Sequence, residues 1–185
     1  MSLRAQDNRQ LQSAFPTVLR EEVLAAISAL PENPHGVGTF TVRVSGERLS
    51  IPYRVYHNPA LIHTAKLSPL QTHLVDCILT RHRDGLTRQK HLTRIVKLTN
   101  AWVPAFVVQL LGEYVKEIIQ VIYDNIEQLD NGLYKEFLQI NSDFLALTEK
   151  RVYSYWDCYY RSVRKEEYPG FKVLRFFKSL AGQTM

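Results

Sequence analysis

Residues 102–128 read WVPAFVVQLLGEYVKEIIQVIYDNIEQ. Gln109, Glu113, Lys116, Gln120, Asp124 and Glu127 recur at steps of three or four and define one narrow polar stripe. The rest of the circumference is apolar. A helix this apolar must be surrounded by other elements, so this stretch is expected to be one helix at the centre of the fold. The same polar groups exclude an ordinary membrane span, although this is the most apolar run in the chain.

Working outward from this centre, the pattern stays helical on both sides. Upstream, Ser68-Pro69-Leu70-Gln71 is a strong start signal, with Ser68 as N-cap, Pro69 at the first helical position and Gln71 closing a capping box. Leu70, Leu74, Val75, Ile78 and Leu79 form the apolar face of that helix. Asp84-Gly85 is expected to end it, with Gly85 in the left-handed conformation. Thr87 then caps a short helix to about Leu98, and Asn100 caps the central one. The pair 69–84 and 87–98 resembles one unit of a HEAT-type helical repeat, over about 30 residues, and no second copy follows. Downstream, Asp130-Asn131-Gly132 turns the chain into a long helical pattern from Leu133 to about Lys165. Asn141-Ser142-Asp143 is placed to kink or split it. Tyr168-Pro169-Gly170 closes it, and Phe171–Leu180 forms a terminal helix.

Near the N-terminus the period differs. Leu19, Val23, Ile27 and Leu30 are spaced as on an amphipathic helix, which the segment 31–36 stops. Then Phe40, Val42 and Val44 alternate with polar residues, Ser45-Gly46 turns, and Leu49, Ile51, Tyr53 and Val55 alternate again. This is a β-hairpin over 39–57, with Pro52 marking an edge or a bulge. The expected fold is therefore mainly α (α+β by strict count): a multi-helix bundle of about six helices with one small N-terminal β-hairpin. A length of 185 residues suits a single domain over 1–185, with residues 1–15 as an arm and 68–182 as the helical core.

Composition bounds the function. Apolar residues make up 45% and charged residues 22%, and there are 8 Gly and 8 Pro, which excludes fibrous, disordered and polytopic membrane classes. The polar N-terminus lacks the apolar stretch of a signal peptide. Cys77 and Cys158, far apart and each within a helical pattern, read as free thiols of a reducing compartment, so the expected location is the cytoplasm.

The net charge of +5 is unevenly spread. Residues 1–77 carry +1, 78–100 carry +5, 101–150 carry −5 and 151–185 carry +4. The basic block holds Arg81, Arg83, Arg88, Lys90, Arg94 and Lys97 against Asp84 alone. Phosphates are neutralised by such groups, so this segment is a candidate nucleic-acid contact. The plainer reading is that the basic and acidic blocks complement each other.

Four groups are candidates for chemistry. Arg81, His82, Arg83, Asp84 and Arg88 form the densest polar cluster, at a helix–helix turn, and with Lys90 and Arg94 make the first candidate surface. His82-Arg83-Asp84 resembles the start of a protein-kinase catalytic loop, but Gln89 stands where that loop needs Asn and the companion motifs are missing. Asp84 therefore reads as a cap or a partner of Arg88. His73 and Cys77 share a helix face, yet no close pair of ligands completes a zinc site, so they read as packing residues. Glu113 and Glu117 are four apart and read as a buried structural ion pair with a cation. The stretch 151–161, RVYSYWDCYYR, places Tyr155, Trp156, Tyr159 and Arg161 on helical stripes of the kind found at interfaces. No nucleophile elbow, phosphate loop, dinucleotide fingerprint or Cys-x-x-Cys is present. The expectation is a non-enzymatic protein-interaction or adaptor module, binding a protein partner or itself as a homodimer, with no cofactor, metal or catalytic residue. Nucleic-acid binding through 81–97 is the alternative, and an enzyme lacking a recognisable motif is the third.

Overall fold

A computed structural model describes residues 3–32 and 38–183. The fold is mainly α, 61% helical, with one two-stranded antiparallel sheet. Nine α-helices are found among the described residues, more than the six of the sequence reading. The chain divides into two compact units, Met1–Ile95 and Val96–Met185. Residues 33–37, most of the segment expected to stop the first amphipathic helix, lie outside the described residues.

The first unit contains α1 (Leu3–Gln12), α2 (Arg20–Ser28), β1 (Thr39–Val44), β2 (Glu47–Pro52), α3 (Pro69–Leu79) and α4 (Gly85–Ile95). Residues expected to be an arm are helical over 3–12, and Leu11, Ala14 and Phe15 are buried. In the hairpin, Phe40, Val42, Val44, Leu49 and Ile51 turn to the core. Ser45 and Gly46 both have positive φ, at 50° and 81°, and Val44 pairs with Glu47 across them. That is the geometry of a type I′ turn, whose twist matches that of the strands. Pro52 ends β2, so the paired region stops short of the expected residue 57. The Ser50 amide donates to the Ser13 carbonyl at 2.8 Å, and Ser13 Oγ donates to the Ser50 carbonyl at 3.2 Å. The free edge of β2 is thereby occupied, which a lone ribbon needs.

α3 starts at the expected capping box: the Gln71 amide donates to Ser68 Oγ at 3.2 Å, and the Ser68 amide donates to Gln71 Oε1 at 2.9 Å. Gln71 Nε2 also donates to Glu22 of α2 at 2.8 Å. The junction between α3 and α4 differs from the sequence reading. α3 ends at Leu79, and Gly85 begins α4 without a positive φ. Asp84, not Thr87, caps α4, its Oδ1 accepting from the Thr87 amide and hydroxyl, each at 2.8 Å.

The second unit contains α5 (Val103–Leu111), α6 (Lys116–Asp124), α7 (Asn131–Ile140), α8 (Ser142–Tyr159) and α9 (Pro169–Ala181). Every residue of α5 is buried, as the central stretch demands. The single helix expected over 102–128 is nevertheless broken at 112–115. Arg151 packs on Gly112 so closely that a Cβ there would lie 3.0 Å from its Cδ. The Tyr160 hydroxyl enters the break, donating to the Tyr114 carbonyl at 2.7 Å and accepting from the Lys116 amide at 3.3 Å. A side chain thus takes up two backbone groups that a continuous helix would have paired. Asn141 separates α7 from α8, with φ −116° and its Nδ2 donating to the Phe137 carbonyl at 2.8 Å. α8 stops at Tyr159 rather than near Lys165. α9 packs against α6 and α7, where the Tyr134 and Phe177 rings stack with centroids 5.5 Å apart. No helix among the described residues is long and apolar enough to cross a membrane.

Candidate functional site

The basic turn divides into buried struts and exposed cations. Arg81 is fully buried. Its guanidinium donates to the carbonyls of Tyr53 (2.9 Å), Pro52 (3.3 Å) and Thr80 (3.4 Å) and stands 5.8 Å from the centre of the Phe40 ring. Arg88 is 1% exposed, and its Nη1 donates to the carbonyls of His82 and Arg83, each at 2.8 Å. His82 is buried too. Its Nε2–H donates to the His57 carbonyl at 3.0 Å, so its Nδ1 is the acceptor for the Asp84 amide, also at 3.0 Å. These partners define the neutral Nε2–H tautomer. Burial holds the His82 pKa below its ordinary value. Asp84 lies below the usual carboxylate range, chiefly through the Thr87 amide and then the Thr87 hydroxyl. Val55 bridges to this turn, its amide donating to the Arg81 carbonyl at 2.9 Å and its carbonyl accepting from the Arg83 amide at 3.0 Å.

Arg81, His82 and Arg88, expected in the candidate surface, are therefore buried side chains that bond to the turn. A turn whose carbonyls face inward needs donors, and a guanidinium carries five in a fixed fork. The members left at the surface are Arg83, Asp84, Lys90 and Arg94, together with Lys97. Arg83 leans on Tyr56, 5.9 Å from the ring centre.

Two residues that the sequence reading passed over, Asp76 and His91, join Arg94 in a cluster. Asp76 sits in the apolar run of α3 and is 3% exposed. Its Oδ1 accepts from His91 Nδ1 at 2.5 Å and from Arg94 Nη1 at 3.2 Å, tying α3 to α4. The cluster opens on a cleft of about 190 Å3 whose other walls include Thr64, Ile62 and Lys90. The available signal was a carboxylate inside an otherwise apolar helix face, where an unpaired charge would be costly.

The second candidate surface is on α8. Leu145, Thr148 and Val152 are buried along one stripe. At helical spacing the same stripe continues to Tyr155, half-buried, and Tyr159, 63% exposed. Tyr114 joins them, with ring centroids 6.0 Å from both, and Tyr155 and Tyr159 are 6.3 Å apart. Asp157 and Arg161 pair beside the rings at 2.6 Å, which raises the Arg161 pKa through the carboxylate's hydrogen bond. Arg164 pairs with Glu167. Trp156 is placed differently from expectation. Its Nε1 donates to the Val163 carbonyl at 2.9 Å, and its ring packs on Phe171 with Lys165 4.9 Å above it, so it anchors the turn after α8.

Glu113 and Glu117, expected in a buried ion pair with a cation, stand in different surroundings. Glu113 is 3% exposed but lies in the α5–α6 break, whereas Glu117 is exposed on the first turn of α6. Cys77 is a buried free thiol and Cys158 an exposed one. Among the described residues, no group of three or more His, Cys, Asp or Glu is placed to hold a metal ion. Comparison with protein-family models, with curated proteins and with solved structures finds no match to this chain.

Proposed function

We propose that this protein is an interaction module that associates with a second copy of itself through the tyrosine face at the end of α8. One observation carries the reading: the stripe that buries Leu145, Thr148 and Val152 runs on through half-buried Tyr155 to exposed Tyr159, with exposed Tyr114 beside it. Tyrosine brings large contact area at little conformational cost and is enriched where proteins meet. The rim supports self-association. A two-fold interface places one patch against its own copy, so whatever charge its rim carries has to be self-complementary. Asp157 with Arg161 and Arg164 with Glu167 provide both signs. Free thiols at Cys77 and Cys158 support a reducing compartment, the cytoplasm. Light scattering of the full chain tests the reading. Wild type has the mass of a dimer, and Tyr155→Ala/Tyr159→Ala has that of a monomer with an unchanged circular dichroism spectrum. A monomeric wild type, or an unchanged mass in the variant, refutes it.

The exposed cations of the α4 region favour a second reading, nucleic-acid binding. With Arg81 and Arg88 buried, four remain: Arg83, Lys90, Arg94 and Lys97. Four phosphate contacts give a log–log salt slope of about −3.6 on duplex DNA. Absence of salt-sensitive binding removes this reading.

A further inference from the structure

The cleft beside Asp76 has features the tyrosine face does not use. Asp76 lines the cleft from a buried position, and its Oδ1 takes two donors, so its charge is partly met within the protein. The other charged walls are cations, Lys90 and Arg94, which outnumber this carboxylate. Lys90 is exposed and makes no ion pair among the described residues. The Arg94 guanidinium is half-exposed and spends one N–H on Asp76, leaving donors on the same fork. His91 lines the cleft with Nδ1 committed to Asp76, so Nε2 is the ring nitrogen left for a ligand. Thr64 adds a hydroxyl and Ile62 an apolar wall.

From this geometry we infer that the α3–α4 cleft is a binding site for a phosphate group, free or as the end of a small monoester. Lys90 and Arg94 take the charged oxygens, the guanidinium by its planar fork. His91 Nε2 accepts from a protonated phosphate oxygen or, on the imidazolium, donates to a bare one. Asp76 is a positioning residue that fixes the ring and the guanidinium, as a carboxylate does behind a working histidine. At about 190 Å3 the cleft is smaller than sites for drug-sized ligands, which start near about 300 Å3. It admits a phosphate group rather than a whole nucleotide.

The test is calorimetric titration of the full chain with inorganic phosphate, glycerol 2-phosphate and acetate, with histidine side-chain NMR as a second readout. The expected result is one phosphate site per chain, a shift at His91 Nε2, and at least about tenfold weaker binding in Lys90→Gln and in Arg94→Gln, the size of one charge-assisted hydrogen bond. Lys97→Gln, an exposed cation that does not line the cleft, should bind as wild type does. Lys90 is exposed and its side chain makes no hydrogen bond or ion pair among the described residues, so Lys90→Gln should leave the fold intact, which an unchanged circular dichroism spectrum checks. Tighter binding of the monoester identifies an esterified phosphate as the ligand, and tighter binding of the free ion identifies phosphate itself. The inference is overturned if neither phosphate saturates, if acetate binds as tightly, or if Lys97→Gln loses as much as Lys90→Gln.

Discussion

Replacing Arg81 by Met tests whether the basic turn is a strut or a surface. Methionine keeps much of the apolar stem and removes the guanidinium, leaving the carbonyls of Tyr53, Pro52 and Thr80 without that donor. The bond to Tyr53, at 2.9 Å, is the one of ordinary length; the others, at 3.3 and 3.4 Å, are long and weaker. A hydrogen bond from a charged group contributes about 1.5–3 kcal/mol. The Tyr53 carbonyl keeps a second donor, Arg54 Nη1 at 2.8 Å, so the cost of an unpaired acceptor, about 1–3 kcal/mol, falls on the Pro52 and Thr80 carbonyls. Relief from burying a cation offsets part of that sum. The expected net loss is about 3 kcal/mol. Urea unfolding of the intact chain measures it. Trp102 and Trp156 both lie in Val96–Met185, so tryptophan fluorescence reports on that unit and far-UV circular dichroism is the probe for the first. Arg83→Met, at an exposed position, is the control and should stay within about 0.5 kcal/mol of wild type. A loss below about 0.5 kcal/mol in Arg81→Met, or equal losses in both variants, would refute the reasoning and return Arg81 to the surface.

Three further outcomes are expected. With the His82 pKa lowered by burial, stability is fully present above the unfolded-state value of about 6.5 and falls as pH drops below it, because the unfolded chain takes the proton first. Urea midpoints compared from about pH 7 to about pH 5 in wild type and His82→Gln should show the shallower dependence in the variant. Gly170→Ala would put a Cβ 2.4 Å from Cε1 of the buried Tyr168 ring, and such overpacking costs about 1–3 kcal/mol, seen as a melting point lowered by at least about 4 °C. Ser68→Ala removes the cap of α3 and should cost about 1 kcal/mol by urea unfolding.

What the sequence revealed and what it hid divide along the range of the interactions. The capping box at Ser68–Gln71, the Ser45-Gly46 turn and the helix boundary at Asn141 are built from neighbours in sequence, and each reads directly. The break at 112–115 does not, because the hydroxyl that sustains it comes from Tyr160, 46 residues along the chain from the Tyr114 carbonyl it meets and beyond both α7 and α8. Arg81 and Arg88 read as surface cations because their partners are backbone carbonyls, which carry no side-chain signature. Asp76 and His91 meet only once α3 and α4 lie side by side, and the sequence shows no more than a carboxylate among apolar neighbours. On α8 the tyrosines are legible, but which rings are covered is not: Trp156 is claimed by the Val163 carbonyl and Phe171, and Tyr159 is left open.

The central claim is that Tyr159, 63% exposed in the single chain, is covered by a second copy. Oxidative footprinting across a concentration series, read by mass spectrometry on the peptide carrying Tyr155 and Tyr159, tests it most directly. Self-association predicts that oxidation of this peptide falls as concentration rises, while that of exposed residues in the first unit, such as Leu61 and Leu86, stays constant. Oxidation independent of concentration across a range in which light scattering reports dimers would contradict the account.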